Sequence, residues 1–370
     1  MDIALLAAVV MGGTFVISAA LVPPVRLLAR RWGVLDPPGH RKVHPAPVPR
    51  IGGIAIFAAL VAVVSAGYAV APALGELMST SLRPSSELSI LRDVRLVGTK
   101  LLALILGASI AFLSGLLDDV FGARFPAWAK AAGQVLAALV LIAADVRISF
   151  LPQEWMNAVV TLLWLVGITN AFNLLDNMDG LSAGVAFVAS GMLLLNAWTL
   201  GEMFISLILA AFMGSLLGFL VYNFNPASIF MGDCGSLFIG YMMGSLTLLE
   251  RYTSNAASTL FPILMPVVIL AVPILDTATV VLIRIREKRP IYVGDSRHLS
   301  HRLVSLGFSQ RAAVLFIYLV TFCLGLGAAA LADAGVLQSL LIVLQCLSFV
   351  ALLLILMFFE RRRQPRGPQP

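Results

Sequence analysis

About eleven stretches of roughly twenty apolar residues follow one another along this chain, and that repetition leaves few folds open to it. The hydrocarbon core of a bilayer is about 30 Å thick, a distance that roughly 20 residues of α-helix span. A helix also satisfies its own backbone hydrogen bonds in lipid, where no water can do so. The stretches are 3–21, 52–71, 97–117, 128–144, 156–175, 181–200, 204–222, 230–249, 260–283, 312–331 and 336–359. They raise the mean hydropathy to +0.97, with 60% of the 370 residues hydrophobic and 12% charged, outside the range of a soluble domain. The expected fold is therefore an all-α polytopic membrane protein. Residues 1–360 would form one integral membrane domain and 361–370 a basic, disordered cytoplasmic tail. Only Asp2 precedes the first stretch, which thus lacks the basic flank of a signal peptide and is expected to stay as a helix. Cys234, Cys323 and Cys346 are far apart, with no histidine at metal-ligand spacing, so neither a disulfide framework nor a zinc site is indicated.

If the eleven spans alternate in direction, the intervening loops fall into two sets. One set, with the C-terminal tail, holds 19 of the 25 Lys and Arg residues and the other holds 6. By the positive-inside rule the first set is cytoplasmic, which places the N-terminus outside and the C-terminus in the cytoplasm. The net charge of +6 is then a matter of topology, not a sign of nucleic-acid binding. All the unusual polar clusters belong to the basic set: DPPGHRKVHPAPVPRIGG, LLDDVFG, NAFNLLDNMDG, NFNPASIFMGDCGS and GDSRHLSHRL. Their shared side points to one site at the cytoplasmic membrane surface; ordinary polar turns that happen to share a side are the plainer alternative.

Asp118 and Asp119 end the third span, where the negative pole of the helix makes carboxylates unfavourable unless a cation compensates. Asp176 and Asp179 have i, i+3 spacing, which puts both carboxylates on one face if helix continues through them. Carboxylates at a lipid boundary usually meet a cation or an aqueous cavity. Asn170, Asn173, Asn177 and Gly180 around them are equally suited to caps and turns. Asp233 stands between Gly232 and Gly235, small residues that let backbone N–H groups at a helix start approach an anion. Oxygen ligands without a cysteine or histidine cluster suit Mg²⁺ or Mn²⁺ better than zinc. Mg²⁺ takes one or two protein carboxylates, so not all five aspartates would bind it. His298 and His301, with Arg297 and Arg302, form a positive group suited to a diphosphate. The loop over 36–53 combines prolines with Arg41, Lys42, His44 and Arg50, and reads either as a stiffened basic platform or as a topological anchor.

In their order along the chain, these five motifs resemble the polyprenyl-phosphate N-acetylhexosamine-1-phosphate transferases, a family that includes the peptidoglycan translocase. The resemblance implies transfer of a sugar 1-phosphate from a UDP-sugar to a polyprenyl phosphate, release of UMP, and a need for Mg²⁺. It implies a bacterial inner-membrane enzyme with its active site on the cytoplasmic face. Its partners would be the UDP-sugar, the polyprenyl phosphate and the bilayer, with no nucleic acid and a homodimer left open. Carried over by position, Asp118 and Asp119 are similar to an acidic pair near the lipid phosphate. Asp118 resembles the residue that deprotonates or orients that phosphate. Asp233 resembles the principal Mg²⁺ ligand, and Asp179 its partner on the metal or beside the nucleotide. Asn173, Asp176 and Asn223 match polar positions lining the site, Asp176 counted among the catalytic ones. Lys42 and His44 resemble basic substrate-binding residues, and His298, His301 and Arg302 a histidine loop near the diphosphate. That loop commonly reads His-x-His-His, whereas Ser300 stands at the middle position here, so no role passes to a middle histidine. The loop also differs from the translocase's three consecutive histidines, which favours a UDP-N-acetylglucosamine-type substrate.

Two other classes share part of this pattern. DNMDGLSAG partly imitates the signature of CDP-alcohol phosphatidyltransferases, but Gly184 stands where that signature needs arginine. A cation- or proton-coupled transporter also uses intramembrane carboxylates, but nearer the bilayer midplane than these helix-end positions.

Overall fold

The computed structural model describes residues 3–37, 46–81, 97–252, 261–288, 297–331 and 334–359. In chain order they form α1 (Ile3–Trp32), β1 (Leu35–Asp36), β2 (Val48–Pro49), α2 (Gly53–Ser81), α3 (Gly98–Phe121), α4 (Ala127–Ala143), α5 (Glu154–Leu175), α6 (Leu181–Thr199) and α7 (Met203–Asn223). Then come α8 (Gly232–Leu249), α9 (Met265–Ile269), α10 (Ala271–Arg286), α11 (Leu299–Ser305), α12 (Gln310–Ala329) and α13 (Val336–Phe359). The all-α membrane expectation holds. Among the described residues, 8 helices are long and apolar enough to cross a bilayer: α1, α2, α3, α5, α6, α7, α12 and α13. Three expected spans look different. α4 has 17 residues, α8 opens on the polar run GDCGS, and 260–283 is not one helix. It divides into a 3-10 turn, α9 and α10, because Pro266 and Pro273 each fall in a first turn, where a missing N–H starts a helix more readily than it continues one. In α1 the opposite occurs: the helix runs through Pro23 and Pro24 to Trp32, beyond the expected end at 21. The tail over 361–370 lies outside the described residues.

Burial orders the helices from centre to periphery. The apolar window of α7 is 72% buried and that of α13 only 17%, so α7 lies in the core and α13 at the lipid-facing edge. α8 packs against α2, α3 and α5, and α7 against α1, α2 and α6. Small residues make these approaches close, since dispersion and backbone proximity hold helices together where lipid offers no hydrophobic drive. Gly214 and Gly218 meet the backbone of α1, and Gly240 meets Thr169 in α5. Amide pairs add polar contacts inside the bundle: Gln134 and Asn170 exchange hydrogen bonds of 3.3 and 2.6 Å between α4 and α5.

Two further close approaches position the polar end. A methyl group on Gly53 would overlap the backbone of Gly235, and one on Gly115 would overlap the carbonyl of Asp233. α2, α3 and α8 therefore converge at the N-terminus of α8. β1 and β2 pair antiparallel, Leu35 opposite Pro49 and Asp36 opposite Val48. The sheet continues into main-chain bonds with the segment before α8: Phe230 N–H to Pro49 O (2.7 Å), Gly52 N–H to Phe230 O (2.9 Å) and Gly53 N–H to Met231 O (2.9 Å). Gly53→Ala is expected to destabilise the protein by about 1–3 kcal/mol through overpacking against backbone that cannot move aside. A thermal midpoint in detergent equal to the wild type would show that these helices do not meet so closely.

Candidate active site

The polar end of the bundle is organised around the start of α8. Gly232 has φ +73, a conformation that a side chain disfavours, and a methyl there would also strike Arg50 O and the Asp119 carboxyl. Asp119 is 6% exposed and accepts the backbone N–H of Asp233 at 3.0 Å and of Cys234 at 2.9 Å. It thus satisfies two donors at the positive end of α8, while Arg50 approaches it at 3.3 Å. Asp118 turns elsewhere. Its Oδ2 takes Lys130 Nζ at 3.1 Å, and the same ammonium group is bonded to Asp233 Oδ2. The neighbours Asp118 and Asp119 therefore do different work, and the cations that the end of α3 requires are Lys130 and Arg50. Asp233 completes its shell with Asn173 Nδ2 at 3.0 Å, which also donates to Ser236 Oγ at 2.8 Å.

Asp119, Asn173 and Asp233 border a cavity of about 610 Å³, whereas Asp118 and Lys130 stand behind Asp233 and do not line it. Asp119, Asn173, Asp176, Asp179, Asn223, Asp233 and His301 all line it, with Arg50, Asn225 and Gln310 from other elements. α5 ends at Leu175, so Asp176 and Asp179 lie in a turn and not on a continuing helix face, yet both still border the cavity. Asp179 Oδ2 accepts Asn225 Nδ2 and the Ala227 N–H, each at 3.0 Å. Asn223 is buried and fully engaged: its Oδ1 accepts the Gly180 N–H at 3.0 Å and its Nδ2 donates to Ile229 O at 2.9 Å. It holds the turn in shape. Tyr318 does the same from α12, donating to Gly180 O at 2.5 Å.

Asp176 differs from all of these. Among the described residues no donor reaches its carboxylate. Desolvation, then the charges of Asp233, Asp119 and Asp179, push its pKa up to about 8. A carboxylate in that state lacks a cation. Among the described residues no three His, Cys, Asp or Glu side chains gather into a ready-made metal cage. An ion that keeps several waters and substrate oxygens needs only one or two carboxylates, however, and the unpaired Asp176 beside Asp233 and Asp179 fits such an ion.

The histidine loop divides as the acidic pair does. His301 lines the cavity, and burial followed by the charge of His298 lowers its pKa, so it is neutral at pH 7. His298 is buried behind it, its Nδ1 2.7 Å from Asp276 Oδ2. Arg302 is 8% exposed and donates through Nε to Arg297 O at 2.7 Å. Ser300, at the position where the resembling family has a histidine, donates to Asn177 Oδ1 at 2.6 Å. Lys42 and His44 lie outside the described residues. The sequence offers Lys130 only as one of the basic residues near Asp118 and Asp119, and Asp276, inside 260–283, escaped it. Both are ionisable residues within apolar stretches, and that was the signal available. A smaller polar cluster also exists at the opposite end, where Asn196 donates to Glu250 at 2.8 Å and Arg251 pairs with Glu202.

Residues 101–250, which include every aspartate around Lys130 and the cavity except Asp36, match the model of glycosyl transferase family 4. The chain is also 35% identical over 342 residues, 90% of its length and 87% of the relative's, to the probable undecaprenyl-phosphate N-acetylglucosaminyl 1-phosphate transferase of Bacillus subtilis (strain 168). The chain belongs to this family. Within family 4 it is 33% identical to the decaprenyl-phosphate N-acetylglucosaminephosphotransferase of Mycobacterium tuberculosis (strain CDC 1551 / Oshkosh), covering 83% of this chain and 78% of the relative. It is 37% identical to a phospho-N-acetylmuramoyl-pentapeptide-transferase of Levilactobacillus brevis, but over 34% of this chain and 42% of that one. The family-4 likeness is thus chain-long to the first two and partial to the third, the relation that the five ordered motifs implied.

Proposed function

We propose that this membrane protein transfers N-acetylglucosamine 1-phosphate from UDP-N-acetylglucosamine to a polyprenyl phosphate, releasing UMP. One observation carries the reading: a relative named for this transfer aligns over 90% of the chain. Neither a CDP-alcohol phosphatidyltransferase nor a transporter is supported by the relatives found. The cavity suits the two substrates. It opens among helix ends, where a lipid phosphate lies at the interface while its isoprenoid stays in hydrocarbon, and where a nucleotide arrives from water. The basic loops favour the cytoplasm for that face, with the N-terminus outside and the C-terminus inside.

In the reaction an oxygen of the lipid phosphate attacks the β-phosphorus of the UDP-sugar. The bond from that phosphorus to the bridging oxygen breaks, and UMP leaves with the electron pair. A phosphate monoester has its second pKa near ~6, so at neutral pH the lipid phosphate is mostly dianionic and needs alignment more than deprotonation. Bringing two anions together is the main difficulty, and positioning and positive charge relieve it. A divalent ion, held by Asp176 and Asp233 with Asp179 alongside, would supply charge to the diphosphate oxygens when bound. Asn225 and the Ala227 N–H keep Asp179 in one orientation towards the site. Asp118 keeps Lys130 against Asp233, so that the ammonium group is held behind a carboxylate that lines the cavity. Neutral His301 donates or accepts a hydrogen bond at the rim without adding charge.

The test is direct. Purified protein given undecaprenyl phosphate, Mg²⁺ and separate UDP-sugars should release UMP with UDP-N-acetylglucosamine and not with the glucose or N-acetylmuramoyl-pentapeptide analogues. Absence of UMP from every donor would refute the reading. Chelation with EDTA is expected to stop turnover, and Mg²⁺ or Mn²⁺ to restore it while Zn²⁺ does not. Full turnover in EDTA would remove the metal from the proposal.

A further inference from the structure

Asp179 is held by a chain of amides that ends, at the cavity wall, on an unused donor. Its Oδ2 accepts the Ala227 N–H at 3.0 Å, so the Asn225 group 3.0 Å from the same oxygen has to be the amide nitrogen. That nitrogen gives its second proton to Gln310, 2.6 Å away, and Gln310 therefore presents Oε1 to it. Arg311 Nε donates to the Asn225 carbonyl at 2.9 Å and keeps this loop against the start of α12. The orientation of the Gln310 amide is thus set from Asp179 outward. Oε1 is engaged, while Nε2 carries two protons and has no partner among the described residues. Gln310 is the first residue of α12, is partly exposed and lines the cavity.

We infer that Gln310 reads the UDP-sugar, its Nε2 donating to an uncharged carbonyl oxygen of that substrate, on the uracil ring or in the acetamido group. The inference rests on the transferase reading, and goes beyond it by naming the residue that reads the substrate and the chemical group it reads. The neighbours set the class of acceptor. Phosphate oxygens are matched by charge, and the permanent cation among the described lining residues is Arg50, 3.3 Å from Asp119. Gln310 brings no charge, and stands where Asp179 makes the wall acidic. An amide NH₂ in that place is complemented by the C=O of an amide or imide, and the uracil and acetamido groups are the parts of a UDP-N-acetylhexosamine that carry one. The contact is made in binding and asks for no proton transfer.

Two variants separate the donor from the tie to Asn225. Gln310→Glu keeps an acceptor for Asn225 and loses the donor, whereas Gln310→Met loses both and adds no charge. Kd for UDP-N-acetylglucosamine, UDP-glucose and UDP is measured by calorimetry on the purified proteins, and UMP release at saturating substrate is followed alongside. Kd for UDP-N-acetylglucosamine is expected to rise about 5-fold or more in both variants, as for loss of one hydrogen bond, with kcat within about 3-fold of wild type. If Kd for UDP and UDP-glucose stays unchanged, the acetamido carbonyl is the group read; if both weaken in the same proportion, it is the uracil. A rise in Gln310→Glu alone would mark charge repulsion, and a rise in Gln310→Met alone the loss of the Asn225 tie. Either would overturn the inference, and so would two variants that bind within about 2-fold of wild type while wild type turns over. Wild-type protein that binds UDP-N-acetylglucosamine yet releases no UMP would defeat the transferase reading and leave the role of Gln310 to the Kd values.

Discussion

Asp233→Asn is expected to reduce UMP release by about 10³-fold or more while leaving a folded protein in detergent, since it removes charge from the centre of the site without removing volume. The carboxylate contacts Asn173, Lys130 and, through its own backbone, Asp119. The amide can keep the hydrogen bond with Asn173 and the backbone bond to Asp119, so the start of α8 should hold. What is lost is the anion that balances Lys130 and, in the proposed function, shares a divalent ion with Asp176. The substitution should therefore raise the Mg²⁺ concentration needed for half-maximal rate as well as lower the maximal rate. Measurement of UMP release across a Mg²⁺ titration decides it. A variant with near-normal turnover would take Asp233 out of the metal role.

Lys130→Met should have the second-largest effect, and in two separable ways. Lys130 is bonded to Asp118 at 3.1 Å and to Asp233, so its removal leaves two carboxylates facing each other without a cation. The three side chains keep between 19% and 30% of their exposure, so solvent screens part of the repulsion. The stability loss is therefore set at about 2 kcal/mol, below that of a fully buried broken pair. Turnover is expected to fall by about 10²-fold or more, because the ammonium group that orients Asp233 and balances its charge goes as well. The double variant Lys130→Met with Asp118→Asn distinguishes the two effects. It should recover most of the thermal midpoint, having one carboxylate fewer, and none of the activity. Recovery of turnover in the double variant would show that Lys130 serves folding alone.

Much of the site's inventory was legible before any helix was placed. The aspartates at helix ends and the loop histidines stood out because ionisable residues are rare beside long apolar runs, and each needs a cation, water or a partner. Their assembly at one end of the bundle followed from the alternation of spans. The helix count was less legible: proline inside 260–283 starts new helices, whereas the proline pair in α1 interrupts nothing. Asp276, and the bond that Lys130 makes to Asp233, were hidden for a related reason. Both residues lie inside apolar stretches that were treated as uniform spans, although a single charge there is as informative as one in a loop. The adjacent pair Asp118–Asp119 looked like one functional unit and is two, because successive residues on a helix point about 100° apart and meet different neighbours.

By itself, the sequence determined the membrane class, the gathering of the polar groups at one end of the helices and the oxygen-rich character of their side chains, since all three depend on composition and on spacing along one chain. Only the tertiary structure decided which of those groups are engaged in holding the fold and which remain open. Asp119 is bound to the start of α8, 114 residues away, and Lys130 reaches Asp233 across 103 residues. Asp176 faces the cavity with no donor among the described residues. The number of donors that reach a carboxylate depends on which helices the packing brings beside it, and no local pattern encodes that.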